Sequence, residues 1–213
     1  MKNIIYTIIL LGIPSILPAQ SRIYVNHAAI GTNTGENWYN AFSNLQTALS
    51  TAQAGDEIWV SKGTYKPTSD TDRTISFEPK SGVKLYGGFE GNETLFDQRD
   101  WKTHVTILSG DIGVPGDSAD NSLNVVYLFQ SDSITLLDGL TICYGLADDI
   151  PGANSARDRA ICGGGLYIEA GNWDAFPNIQ NCRFLRNTAS SYGGASMANG
   201  TSGCCPQVCE LSL

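Results

Sequence analysis

The chain is short of positive charge, of histidine and of helical periodicity. Its 13 Lys and Arg face 21 Asp and Glu, a formal net charge of −8. Such a surface repels phosphates and anionic lipid faces, which excludes nucleic acid and charged membrane surfaces as general partners. It also disfavours a broad basic surface for polyanionic sugars, while leaving room for a local basic cleft. His27 and His104 are the only histidines. His27 falls in a leading loop and His104 just before a strand-like run, and neither has a nucleophile partner in the sequence. Both read as surface residues.

The six cysteines do not form a disulfide framework. Cys143, Cys162 and Cys182 stand singly in apolar stretches, and Cys204, Cys205 and Cys209 crowd the end. Cys143 and Cys182 read as small apolar packing residues. The terminal three lack a nearby histidine and are too few for a zinc site. Long apolar runs are missing with one exception. After Lys2, residues Ile4 to Leu17 are almost continuously apolar, and small residues follow around Ala19. The run is too short and too interrupted by Pro and Gly for a membrane span. Residues 1–20 read as a secretory signal peptide cleaved near Ala19 or Gln20, which places the chain outside the cytoplasm. No membrane span is expected once it is removed.

What is present begins with "LQTALSTAQAGDEIWVSKGTY", residues 45–65. Phe42, Leu45, Leu49 and Ala52 recur at helical spacing, and Gly55 is placed to end the helix in a left-handed conformation. Ile58 and Val60 then alternate around Trp59 as in a strand. From there on the chain offers short strands punctuated by Gly, Asn, Asp and Pro: Val83–Tyr86, Val105–Leu108, Val125–Leu128, Ile134–Leu137, Leu140–Ile142, Gly165–Ile168 and Ile179–Leu185. Val60, Leu85 and Ile107 serve as anchor positions of successive coils.

An internal repeat strengthens this reading. A glycine run opens at Gly163 and again at Gly193, Pro177-Asn-Ile179 is echoed by Pro206-Gln-Val208, and Cys182-Arg-Phe184 by Cys209-Glu-Leu211 across a gap. Leu137–Ile142 matches Ile179–Phe184, and residues 148–159 look like an inserted surface loop. Repeats of this length stack equivalent residues from successive coils into ladders. The first coil of such a stack exposes apolar edges, and a short amphipathic helix laid over them covers that liability.

The residues that carry these features also carry a resemblance. "FSNLQTALSTAQAGDEIWVSKGTY" resembles the amino-terminal cap and first coil of right-handed parallel β-helix proteins of the pectin-lyase-like superfamily, and "LDGLTI" and "NCRFLRN" resemble later coils. Phe184-Leu-Arg-Asn187 with Gly193-Gly-Ala195 is similar to the FxxN and GGA repeats of polymorphic outer-membrane proteins. "VKLYGGFEGNET" is similar to adhesin-like bacterial surface proteins. The resemblance implies an all-β solenoid, with residues 21–56 as strand, loop and capping helix and 57–213 as coils. The last coil is incomplete, as in a fragment or a frame-damaged chain. Phe184 is expected to stack inside and Asn187 to bond turn backbone of a neighbouring coil.

The resemblance also sets the terms for a site. Lyases of this superfamily use a Lys or Arg base with Ca²⁺ on clustered carboxylates, and glycoside hydrolases use paired acids. Asp111, Asp117, Asp120 and Asn121 form the best calcium candidate, although Asp, Asn and Gly are also ordinary turn residues. The adjacent Asp148 and Asp149 point to opposite faces if extended, and they lie in the insertion. Arg99, Asp100, Trp101 and Lys102 form a charged loop with an aromatic suited to sugar stacking. Trp38, Trp59 and Trp173 are further stacking candidates, with Trp59 more simply sealing the cap helix. The expected function is an exported, non-catalytic module contacting extracellular polysaccharide or a host cell surface. The alternative is a polysaccharide lyase or glycoside hydrolase. Convergence of Asp111, Asp117 and Asp120 with a Lys or Arg in an open groove would favour the enzyme, and scatter over separate turns the module.

Overall fold

A computed structural model describes residues 20–169, 177–199 and 208–209. The proposed signal peptide, Trp173, Cys204, Cys205 and Pro206 lie outside the described residues. The fold is β-rich, and every strand pairing in it is parallel. In chain order the strands are β1 (Arg22–Val25), β2 (Glu57–Ser61), β3 (Gly63–Tyr65), β4 (Lys84–Phe89), β5 (Thr106–Ser109), β6 (Val126–Phe129), β7 (Leu136–Asp138) and β8 (Leu140–Cys143). They continue as β9 (Leu146–Ala147), β10 (Leu166–Glu169), β11 (Asn178–Gln180), β12 (Arg183–Leu185), β13 (Thr188–Ala189), β14 (Ser196–Asn199) and β15 (Val208–Cys209).

These strands form four sheets. The first has the order β1-β2-β4-β7-β11-β15, the second β3-β5-β8-β12, the third β6-β10-β14 and the fourth β9-β13. The chain visits the sheets in a constant order, with β7, β8, β9 and β10 followed by β11, β12, β13 and β14 one layer on. Phe77 bridges to Val126 and so extends the third sheet one layer earlier.

Register explains the core. Ile23, Ile58, Leu85, Leu137 and Ile179 stand opposite one another across the first sheet. Tyr65, Leu108, Ile142 and Phe184 do so across the second. On the third sheet Val126 faces Leu166, and Leu128 faces Ile168. All belong to one buried apolar cluster enclosed by the sheets. Truncating a fully buried member such as Leu137 to Ala costs about 2–5 kcal/mol, because transfer and cavity terms add.

The repeat read from the sequence has a direct structural basis. Ile179 pairs with Leu137 and Phe184 with Ile142, while Leu166 pairs with Ser196. Gly163 and Gly193 are left-handed, with φ of +64° and +63°, so the doublets mark one turn used twice. Asn187 donates from Nδ2 to the Ile142 carbonyl, and its Oδ1 accepts from the Gly145 N–H, each at 2.9 Å.

Among the described residues the one α-helix, α1, spans Leu45–Thr51 and buries Leu45, Ala48 and Leu49 against β1 and β2. Asn44 caps it by accepting from the Gln46 N–H at 2.7 Å, and Lys80 Nζ donates to the Ser50 and Ala52 carbonyls.

Several expectations need correction. The helix ends at Ala52 rather than at Gly55, whose φ of +97° serves the following turn. Ile107 is not on the same sheet as Val60 and Leu85, and Leu85 pairs with Ile58. First-sheet strands begin at Glu57, Lys84, Leu136 and Asn178, so the circuits differ in length and no fixed spacing holds. Cys209 pairs with Gln180, not at the level of Cys182. Trp59 does not seal the helix: it points away from the core and lies fully buried in a separate cluster with Tyr86 and Phe89. Phe89 stacks on it at 4.5 Å, and the Arg22 guanidinium sits 3.7 Å from its ring centre.

Candidate functional site: the open face of the second sheet

A parallel sheet normally has both faces covered. The outer face of the first sheet obeys this rule, because Trp38 and Phe96 close over Trp59, Tyr86 and Phe89. The second sheet does not. With Leu108, Ile142 and Phe184 turned inward, the alternate residues Thr64, Ile107, Thr141 and Arg183 form an outward ladder. Ser109, Cys143 and Leu185 form the next one.

This face carries a groove of ≈ 470 Å³, with Lys66 and Asp111 on one wall and Tyr144 and Arg186 on the other. A hollow of ≈ 200 Å³ adjoins it, lined among others by Trp101, Lys102, Asn181 and Arg183. Thr141 lines both and makes them one strip.

Tyr144 and Arg186 directly follow β8 and β12, and since Cys143 pairs with Leu185 they occupy equivalent places one layer apart. Both are left-handed, with φ of +63° and +54°. For a residue with a Cβ this costs roughly 1–2 kcal/mol. Neighbouring contacts hold it in place. Arg186 Nη1 donates to the Tyr144 hydroxyl at 2.9 Å, with its guanidinium 5.7 Å from the ring centre. Gln130 after β6 and Asn181 after β11 take the same conformation, so it is a corner this chain uses at several strand ends.

The electrostatics of the strip are uneven. Asp111 Oδ2 lies 3.8 Å from Lys66 Nζ. Lys102, Arg183 and Arg186 are exposed, and among the described residues no carboxylate lies within 4.0 Å of any of them. Lys102 instead stands 5.1 Å from the Trp101 ring centre. Burial pushes the Cys143 thiol up to about 11, outweighing a hydrogen bond with Ser109, so at neutral pH it is a protonated floor residue. Cys143 thus packs on the outer side of the sheet, whereas Cys182 packs in the core as expected.

The calcium candidates are not gathered. Asp111 Oδ1 accepts from the Gly116 N–H, Asp117 caps the turn Ser118–Asp120 by accepting from the Ala119 N–H, and Asp120 accepts from the Val114 N–H. Asn121 is buried, and its backbone carbonyl accepts from Arg73 Nε at 2.7 Å. Among the described residues, no three acidic, His or Cys side chains are grouped to hold a metal ion. Only Asp111 of the four reaches the groove. Each acid accepts a backbone N–H of the same loop, which is the local use that Asp finds in tight loops.

The other candidates are also accounted for. Asp148 pairs with Arg73, away from the groove. Arg99 and Asp138 form a two-pronged ion pair at 2.7 and 2.9 Å. His104 Nε2 lies 3.0 Å from Glu90, which also binds Lys62, so this histidine belongs to a charged cluster rather than standing alone. His27 is exposed and packs edge-on to Tyr65. Sequence reasoning reached Trp101, Lys102 and Asp111. It missed Lys66, Tyr144, Arg183 and Arg186: Arg183 carried the signal of its outward phase in β12, and the other three directly follow strand ends.

The fold and this strip define a protein of stacked parallel sheets with one uncovered, cation-lined face. In comparisons with protein-family models, with curated proteins and with solved structures, nothing matches this chain.

Proposed function

We propose that the chain is an exported right-handed parallel β-helix protein that contacts extracellular carbohydrate through the open face of its second sheet. It acts as a non-catalytic, adhesin-like module, secreted or held at the bacterial cell surface or outer membrane. The constant order in which the chain visits its sheets supports the β-helix. The observation that carries the binding role is the strip itself. It combines aromatic rings at Trp101 and Tyr144, hydroxyls at Thr64 and Thr141, and cations in an open groove. Rings supply stacking faces for sugars, and the polar groups match their hydroxyls. The test is a glycan-binding screen of residues 20–213 with Tyr144→Ala and Thr64→Lys as groove variants. Loss of binding in both, with unchanged melting, supports the role, and retention in both refutes it.

One observation favours the lyase as a second reading. Lys66, Asp111 and Arg186 share the groove, so a basic group and a carboxylate face one cavity. A hydrolase would need a second acid at a defined separation. Appearance of unsaturated-sugar absorbance on polyuronides, lost in Lys66→Ala, would establish the lyase over the module.

A further inference from the structure

We infer that the strip selects a linear glycan bearing repeated oxyanions, carboxylate or sulfate, through Lys102, Arg183 and Arg186. This rests on the reading of the strip as the carbohydrate-contact face and adds the chemistry of the ligand.

The distribution of charge carries the argument. The chain is acidic, with 13 Lys and Arg in all. Most of its cations elsewhere are occupied: Arg73 with Asp148, Arg99 with Asp138, Arg159 with Glu78, Lys62 with Glu90, and Lys80 on carbonyls at the end of α1. On the strip the balance reverses. Four cations, Lys66, Lys102, Arg183 and Arg186, line it beside the single carboxylate of Asp111, and Lys66 already answers that acid. Holding exposed cations together without carboxylate partners costs self-repulsion, which an anionic ligand relieves.

Geometry narrows the ligand further. Lys102 and Arg183 flank the start of β8 and β12, whereas Arg186 stands past the far end of β12. From Gly139 to Tyr144 the strip runs about 16 Å along the strand direction. Charges so spread suit a polymer with repeated anions rather than one small anion. Guanidinium forks match carboxylate and sulfate oxygens in two-pronged pairs. Between the charged ends lie Thr141 and Asn181, which suit sugar hydroxyls, and the rings of Trp101 and Tyr144.

The test measures binding of residues 20–213 to polygalacturonate, dextran sulfate, neutral dextran, polyglutamate and single-stranded DNA. At least one charged glycan should bind about tenfold or more above dextran at low salt, weaken as salt rises, and be insensitive to EDTA. The pair of changes Arg183→Ala and Arg186→Ala should remove about tenfold or more of that affinity. Arg157→Ala, an exposed arginine off the strip, should change nothing. Preference for dextran sulfate or for polygalacturonate identifies sulfate or carboxylate, and either supports the inference. Dextran bound as well as the charged glycans, lost in Tyr144→Ala but not in the arginine pair, would overturn the inference while sparing the carbohydrate role. Polyglutamate or DNA bound as tightly as any glycan would also overturn it. Binding to no glycan would overturn both readings.

Discussion

Replacing Arg99 with Met should be among the most damaging single changes available outside the apolar ladders. The Arg99 and Asp138 side chains are 5 % and 9 % exposed, and their two-pronged contact spans 2.7 and 2.9 Å. Asp138 Oδ1 also accepts from Asn181 Nδ2 at 2.8 Å. The pair thus ties the segment after Phe96 to the end of β7 and to the turn before β12. Arg99 lies 5.2 Å from the ring centre of Phe96, which helps to cover the outer cluster. Removing the cation strands a buried carboxylate with one neutral donor, a loss of about 3–5 kcal/mol. For a chain of this size that lowers Tm by about 6–20 °C. Urea unfolding followed by tryptophan fluorescence measures it, since Trp59 reports the same cluster. The companion variant, Arg99→Met with Asp138→Leu, should recover most of the loss, because replacing both charges avoids the stranded ion. The reasoning is refuted if Arg99→Met costs less than about 1 kcal/mol, the range of a solvent-exposed pair.

Four further outcomes follow from the same geometry. Leu49, 3 % exposed under α1, should tolerate no charge, so Leu49→Asp should aggregate in light scattering while Val114→Asp at a 60 % exposed site stays monodisperse. Gly145→Ala should sharply reduce soluble yield and Tm, because its new Cβ would collide with the Gly164 carbonyl oxygen across the same circuit. Burial raises the Cys143 thiol to about 11, the Cys182 thiol to about 12 and the Tyr86 phenol to about 12. The folded state holds these protons more tightly than the unfolded chain, so their contribution is intact below about pH 9 and is lost as pH rises toward 11–12; urea midpoints at pH 8, 9.5 and 10.5 should fall in that order. Because Asp111, Asp117 and Asp120 each hold backbone N–H groups of one loop and are not grouped as a metal site, Ca²⁺ or EDTA should shift Tm by less than the scatter of calorimetry, and a rise of several degrees with Ca²⁺ would revive the metal site.

Local chemistry was the legible part. Leu45, Leu49 and Ala52 made α1 readable, since helical spacing acts within a few residues, while the Asn44 cap emerged only in the structure. Strand alternation around Leu137–Ile142 and Ile179–Phe184 revealed two layers that do pair in that register. The glycines at 163 and 193 announced a turn used twice. Spacing failed wherever a loop changed the length of a circuit, as between Leu85 and Leu137.

The candidate site was less legible for a different reason. Asp111 and the Trp101–Lys102 pair stood out by composition, but Lys66, Thr141, Tyr144 and Arg186 are ordinary residues in three separate segments. Nothing local distinguishes Trp59, which faces outward and is buried, from Thr64, which faces outward and is exposed. By itself the sequence determined the helix, the short strands, their inward phase and the repeat, because those depend on side chains a few residues apart. Tertiary structure alone decided which outer face stays uncovered and which cations meet on it, because covering one sheet with Trp38 and Phe96 and sparing the next is a choice made between segments far apart in the chain.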